Sequence, residues 1–358
     1  MKNCIVILAG GQGQRLWPLS TCDNPKPFVK MPHSRFTFIE ETVKRALNIV
    51  SREDIFIITT LDYKNKVLKT IGHLINESNI ISEPTSRNTG PCVGYATAVL
   101  KKKYGNCNIA FFPSDHYIEN EKEFVDVLKK TFANLKEMNK VVLLGMSTTS
   151  HNTNYGYIKI DSKEQVFFKR VYDFKEKPNA YIAKKYNKDS NYFWNIGILI
   201  TSSQTIVEMF EKYNNKICSS INRIYIYLGT DNERAIVSEE YEKMEKISVD
   251  CAILEYAAKN DEVVCVVGEF GWRDNGTWLE LSKCLNKTNN DNLTTNKLMA
   301  VDTKNSIFYT ENQTVLSIGV SDLMVISIDG ILVICDKNRI EEIGNSKYKI
   351  EKYKKTVR

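Results

Sequence analysis

Short apolar runs alternate with amphipathic stretches through the first 150 or so residues. Residues 5–8, 55–59, 109–112 and 141–144 are runs dominated by Ile, Val, Leu and Phe, which predict buried strands. Residues 38–50, 63–75, 92–103 and 121–138 place apolar side chains at helical spacing and predict the helices between them. Strands alternating with helices predict an α/β fold whose parallel sheet is covered on both faces. Ligands in such sheets bind beyond the carboxyl ends of the strands, so the residues just after Leu8, Phe112 and Leu144 are the first places to look for chemistry.

The pattern changes at residues 286–297, where Asn, Thr and Lys replace apolar residues in the manner of a linker. Beyond it, residues 298–301, 306–309, 314–319, 323–328 and 331–335 are closely spaced β-type runs separated by Asp, Asn and Gly. Their even spacing suits a few coils of a β-solenoid or a small β-sandwich. The expected organisation is a domain over 1–285, a linker over 286–297 and a β-rich domain over 298–358.

Composition narrows the class. The chain has 358 residues with 49 Lys+Arg against 43 Asp+Glu, a formal charge of +6. So small a surplus gives no case for a nucleic-acid partner, which calls for a clustered basic face. No apolar run approaches the roughly 20 residues that span a bilayer, so no membrane association is expected. Nine cysteines without a Cys-x-x-Cys pair fit reduced thiols in a cytoplasm. Four histidines, none spaced as a pair of ligands, argue against zinc, and any metal is expected to be hard and oxygen-bound.

The first strand runs into Leu8-Ala9-Gly10-Gly11-Gln12-Gly13-Gln14-Arg15, followed by Asn24-Pro25-Lys26-Pro27. Clustered glycines let the backbone turn sharply and present N–H groups to an anion, and Arg15 and Lys26 add charge. The spacing is neither a Rossmann fingerprint nor a Walker A loop. The stretch resembles the signature of the sugar-nucleotide pyrophosphorylases, and Trp17-Pro18-Leu19-Ser20 resembles their mannose-1-phosphate guanylyltransferase branch. Further similar segments follow in order: Glu83-Pro84 with Arg87-Asn88-Thr89-Gly90-Pro91, Pro113-Ser114-Asp115-His116, Asn154-Tyr155-Gly156-Tyr157, Phe174-Lys175-Glu176-Lys177-Pro178, Phe193-Trp194-Asn195-Ile196-Gly197, Val249-Asp250, and Trp272-Arg273-Asp274-Asn275-Gly276-Thr277-Trp278. Asn275 stands where the family often has a small or apolar residue, and Cys251 and Leu254 replace its aromatic and Met after Asp250.

The resemblance implies a Rossmann-like nucleotidyltransferase domain with a mixed, mostly parallel sheet and a small β-helix-like tail. It implies nucleotide binding by Leu8, Ala9, Gly10, Gly11, Gly13, Glu83, Asn88, Thr89 and Asp115. Sugar-phosphate binding is implied for Gly156, Glu176, Lys177, Asn195 and Asp250. Catalysis falls to Arg15, Lys26, Asp115 and Asp274, with Mg²⁺ on the two aspartates, an ion that usually takes one or two protein carboxylates. His116 reads as a loop-positioning histidine, because an ionised sugar phosphate needs no general base.

The expected reaction is in-line transfer of GMP from GTP to mannose 1-phosphate, giving GDP-mannose and pyrophosphate, with cations offsetting repulsion between the phosphates. Alternatives are a pyrophosphorylase for GDP-heptose or a dTDP- or UDP-sugar, or a non-catalytic nucleotide-sugar-binding regulator. No isomerase activity is expected, since the tail after Asn286 has no histidine. Sheet edges in the tail suggest a homodimer.

Overall fold

The computed structural model describes residues 1–11, 14–31, 34–135, 138–163 and 165–344. By packing, the chain forms two units: one from residues 1–10, 42–114 and 118–272, the other from 11–41, 115–117 and 273 onward.

The first unit is built on ten strands: β1 (Lys2–Leu8), β2 (Ile55–Thr60), β3 (Ile80–Glu83), β4 (Cys107–Pro113), β5 (Val141–Ser147), β6 (Gly156–Lys159), β7 (Lys169–Arg170), β8 (Asp173–Lys175), β9 (Tyr192–Ser202) and β10 (Val263–Val267). Their order is β3-β2-β1-β4-β9-β5-β10-β7, with β6 paired to β9 and β8 to β6. The β1 ladders to β2 and β4 and the β5–β10 ladder are parallel, and β9 enters antiparallel to both β4 and β5. The central sheet is thus mixed and mostly parallel.

Helices α1 (Phe38–Leu47), α2 (Leu61–Ile71), α3 (Thr89–Tyr104), α4 (Glu121–Asn134), α5 (Ser203–Tyr213) and α6 (Asn215–Tyr227) lie near their sequence-expected positions where these were set. Both sheet faces are buried, which is why the strands read as continuous apolar runs. Cys4, Val6, Ile58 and Phe111 pack with the apolar sides of α3, α5 and α6, while on the other face Phe112 meets Phe124 of α4 edge-on at 5.7 Å.

The apolar and aromatic run over residues 166–174 predicts one strand from the sequence, and the structure breaks it. The run over 166–174 divides into β7, which pairs with β10, and β8, which pairs with β6. Between them Val171 N–H donates to the Val263 carbonyl and Tyr172 N–H to that of Lys159, so the chain changes partner where a single strand was expected.

In the second unit residues 286–297 carry strands rather than irregular chain: β11 (Asn286–Lys287) pairs with β12 (Leu293–Thr294). Then follow β13 (Leu298–Val301), β14 (Ile307–Thr310), β15 (Val315–Ile318), β16 (Leu323–Ile328) and β17 (Ile331–Asp336). Parallel pairing of β12 with β14, β14 with β16 and β13 with β15 makes solenoid coils, and β17 folds back antiparallel on β16. Polar side chains sustain this pattern because they bridge coils: Asn292, fully buried, donates to the carbonyls of Asn289 and Thr303 and accepts from Ser306 N–H. Asp302, Asn305, Asp322 and Asp329 take the left-handed corners that Asn and Asp tolerate. Leu16, Trp17 and Phe38 share a core with Trp278, Tyr309, Met324 and Ile340, and Trp278 of α7 (Trp278–Ser282) donates its indole N–H to the Trp17 carbonyl at 3.0 Å. No described helix is long and apolar enough to cross a membrane.

The entry to α3 depends on a close approach. Gly90 N–H donates to the Ile247 carbonyl at 2.9 Å, and a Cβ on Gly90 would sit 2.7 Å from that oxygen. Gly90→Ala is expected to cost about 1–3 kcal/mol of stability, read as a lower denaturation midpoint. An unchanged midpoint would mean that the two segments part freely.

Candidate active site

In the first unit, β1 delivers Leu8, Ala9 and Gly10 to the carboxyl end of the sheet. The Ala9 backbone is pinned to β2, donating to the Ile58 carbonyl at 2.8 Å and accepting from the Thr59 hydroxyl at 2.9 Å. Glu83, the last residue of β3, lies beside this turn, its Oε2 3.7 Å from where a Cβ on Gly10 would stand. Only 3% exposed, it accepts a hydrogen bond from the Tyr241 hydroxyl at 3.2 Å. Burial pushes its carboxyl up to about 7, although hydrogen bonds from Tyr241 and Cys92 pull the other way. Asn88, at a φ of +67°, accepts from Thr89 N–H at 2.8 Å, while the Thr89 hydroxyl accepts from Val249 N–H at 2.9 Å. These two polar side chains therefore shape the start of α3 and tie it to the segment before Asp250. Gly13 lies outside the described residues.

The five expected sugar-phosphate residues converge in the same unit. Gly156 pairs with Asn195 across β6 and β9, and a Cβ on Gly156 would fall 2.7 Å from Glu176 Oε2, so the missing side chain leaves room for that carboxylate. The β5–β9 register shifts just after Asn195, and such bulges re-aim side chains. Asn195 donates to Asp250 Oδ1 at 3.1 Å and accepts from Gly197 N–H. Burial, then the Glu176 charge, push the Asp250 carboxyl up to about 7, against Lys177 and the bond from Asn195. Lys177, with φ +42°, turns its ammonium back onto Glu176 Oε1 at 2.7 Å. Glu255 accepts from the Glu176 N–H and from Lys175, a brace the sequence reading did not assign. Tyr241 is likewise unmarked in the chain, since nothing in its sequence surroundings points to Glu83 as its partner.

The second unit holds the cationic residues and the two expected metal carboxylates. Lys26 opens a short 3₁₀ turn between Pro25 and Pro27 and is 4% exposed. Its ammonium lies 2.9 Å from Asp115 Oδ2 and 3.7 Å from Asp274 Oδ1, and donates to the Asp274 carbonyl at 2.5 Å. Burial works against the charge, but Asp115 and Asp274 outweigh it and hold the ammonium above its ordinary pKa. His116 Nε2 stands 4.0 Å from Asp274 Oδ1. Asp274 Oδ2 and the Arg15 guanidinium both crowd Gly276, where a Cβ would come within 2.3 Å and 3.1 Å of them. Gly11 is exposed. Each carboxylate side chain is about one quarter exposed, so the donor set is hard oxygen with room for water, which fits Mg²⁺. Among the described residues no group of three or more His, Cys, Asp or Glu makes a self-sufficient metal cage.

The nucleotidyl transferase family matches residues 4–291. The chain belongs to that family. Residues 296–345 match the MannoseP isomerase/GMP-like beta-helix domain. An Escherichia coli mannose-1-phosphate guanylyltransferase is 29% identical over 348 residues, 95% of this chain and 74% of that protein. One from E. coli strain K12 is 30% identical over 347 residues, 94% of this chain and 71% of that protein. A Thermus thermophilus crystal structure, described as a mannose-1-phosphate geranyltransferase, superposes with a TM-score of 0.85 at 26% identity, covering 98% of this chain and all of that one.

Glu83 makes the stability of this nucleotidyltransferase pH-dependent. Its folded pKa exceeds the ordinary 4.5, so the folded chain holds the proton more tightly and stability falls as pH rises from about 4.5 to about 7. Glu83→Gln, which cannot ionise, is expected to be more stable than the natural chain near pH 8 by up to about 3 kcal/mol, with the gain vanishing near pH 4.5. An equal effect at both pH values in urea titrations would show that the carboxyl is not held neutral.

Proposed function

We propose that the chain transfers GMP from GTP to α-D-mannose 1-phosphate, forming GDP-mannose and pyrophosphate. The observation that carries this reading is the Lys26–Asp115–Asp274 cluster with Arg15 beside Asp274: cations and oxygen ligands built to handle polyphosphate. The kinship with guanylyltransferases that act on mannose 1-phosphate supports the choice of substrates.

A phosphate oxygen of the sugar phosphate attacks the α-phosphorus of GTP. A new O–P bond forms as the α,β-bridging bond breaks, and pyrophosphate leaves with the electron pair. The attacking oxygen is already ionised near neutral pH, so no side chain need take a proton. Leu8, Ala9, Gly10 and Gly11 offer backbone to the nucleotide, with Glu83, Asn88 and Thr89 at the base. Glu176, Asn195, Asp250 and the backbone of Gly156 accept and donate to sugar hydroxyls, and Lys177 moves from Glu176 to the sugar phosphate. Lys26 fixes Asp115 and Asp274 and, with Arg15, offsets charge on the triphosphate. Asp115 and Asp274 would hold Mg²⁺, which when bound neutralises phosphate oxygens and orients them for displacement. The nine free cysteines suit a reducing cytoplasm.

Pyrophosphate release measured with the four nucleoside triphosphates against a panel of sugar 1-phosphates tests the proposal, with geranyl diphosphate as a further donor. GTP with mannose 1-phosphate is expected to give the highest kcat/KM, and a higher value for another pair would replace it. Asp115→Asn, which leaves the buried Lys26 ammonium with one carboxylate, is expected to lower the denaturation midpoint and, assayed where the variant is still folded, to lose at least about a hundredfold in kcat. Near-natural turnover in that variant would remove Asp115 from the metal site.

A homodimer through the tail is part of this proposal. Met299, Val301, Leu316 and Ile318 are 50–62% exposed, and β13 and β15 bring them side by side. A two-fold axis makes such a patch self-complementary and sets exposed Lys297, before β13, against Asp302, after it, in the second copy. Leu316→Glu in the full chain is expected to sediment as a monomer where the natural chain sediments as a dimer. A natural chain that sediments as a monomer removes the interface.

A further inference from the structure

Asn275 is fully buried beside Asp274, with a φ of +47°. Left-handed backbone is accessible to Asn, whose short polar side chain tolerates it, and is strained for most other residues with a Cβ. Its Nδ2 donates to the Met31 thioether at 3.5 Å, on the segment that carries Lys26. Its Oδ1 is buried and has no hydrogen-bond partner among the described residues. An amide held by one weak acceptor, with its oxygen unsatisfied, is a poor choice for stability alone. What the residue does provide is the direction of the preceding peptide: the Asp274 carbonyl, as well as its carboxylate, faces the Lys26 ammonium.

We propose that Asn275 is a positioning residue. Its left-handed backbone aims the Asp274 carbonyl at Lys26, and its side chain ties that turn to Met31, so the ammonium and Asp274 keep one geometry. A small or apolar residue in the same place could not make the second tie. Gly276 completes the arrangement, because any side chain there would collide with Asp274 Oδ2. The inference rests on the role proposed for Lys26 and Asp274 in transfer, but its primary test is independent of activity.

That test is competitive acetylation of the folded protein with acetic anhydride, read by mass spectrometry at Lys26 and normalised to the exposed lysines. The rate follows how often local opening releases the buried amine from Asp115 and Asp274 to the reagent. Near pH 8, Asn275→Ala is expected to acetylate about tenfold faster at Lys26 than the natural chain, with the other lysines unchanged. Asn275→Gly, which enters the left-handed region freely, is expected to stay within about threefold. In turnover, the Ala variant should lose about thirtyfold in kcat and the Gly variant about threefold, with KM within about threefold for both. Natural acetylation in the Ala variant, or equal increases in Ala and Gly, overturns the proposal. If the Ala variant does not fold, Met31→Leu carries the test. It removes the sulfur acceptor at nearly constant volume and is expected to raise Lys26 acetylation about threefold, and no increase overturns the tie. Failure of every sugar phosphate in the transfer assay would sink the proposed reaction while leaving the acetylation contrast to decide on Asn275.

Discussion

A lysine ammonium taken out of water organises the second unit's chemistry. Lys26 is almost wholly buried, a state lysine adopts rarely unless paired, and desolvation alone would favour the neutral amine. Two carboxylates and a carbonyl reverse that preference. At about 3 Å and an effective dielectric of 20, each unit-charge attraction is of the order of 5 kcal/mol before desolvation is subtracted, enough to retain the charge. The same contact fixes the aspartates, since moving either one would leave a buried cation under-compensated. The prolines on both sides of Lys26, the aromatic ring of Phe38 under its ammonium at 5.4 Å, and the left-handed turn at Asn275 all serve one arrangement.

The first unit uses the opposite device. Glu83 and Asp250 are carboxyls whose pKa burial raises to about 7. In the protonated form each can donate as well as accept. Their neighbours adjust the balance: Tyr241 and Cys92 at Glu83, Asn195 and Lys177 at Asp250. The stability cost of such groups is local, and the continuous apolar core on both sides of the sheet offsets it.

Much of this was legible in the chain. Apolar runs marked β1, β2, β4 and β5, because strands buried on both faces have no polar alternation to disguise them. The ordered motifs named residues that do converge, Gly156 with Glu176, Asn195 and Asp250, and Lys26 with Asp115 and Asp274. Less legible were features that depend on hydrogen bonding between distant segments. The split of residues 166–174 into two strands follows from a change of partner, and the short strands within 286–297 exist because coils stack on them. Leu16, Trp17, Val29, Met31 and Phe38 share a core with Trp278, Tyr309, Met324 and Ile340, a grouping that no local pattern records.

The sequence by itself determined the strand and helix alternation, the β-rich character of the tail and the identities of the charged groups, since these follow from side-chain chemistry and short-range spacing, whereas the parallel stacking that makes the tail a solenoid rather than a sandwich is tertiary. Only the tertiary structure decided what those groups do to one another. Lys26 reads from the chain as a positive charge for an anion, yet packing sinks it between Asp115 and Asp274. Asn275 reads as an incidental departure, yet its left-handed backbone directs a carbonyl onto that lysine. Pair distances, burial and backbone sign arise from contacts between residues far apart in the chain, and electrostatic energies depend on all three.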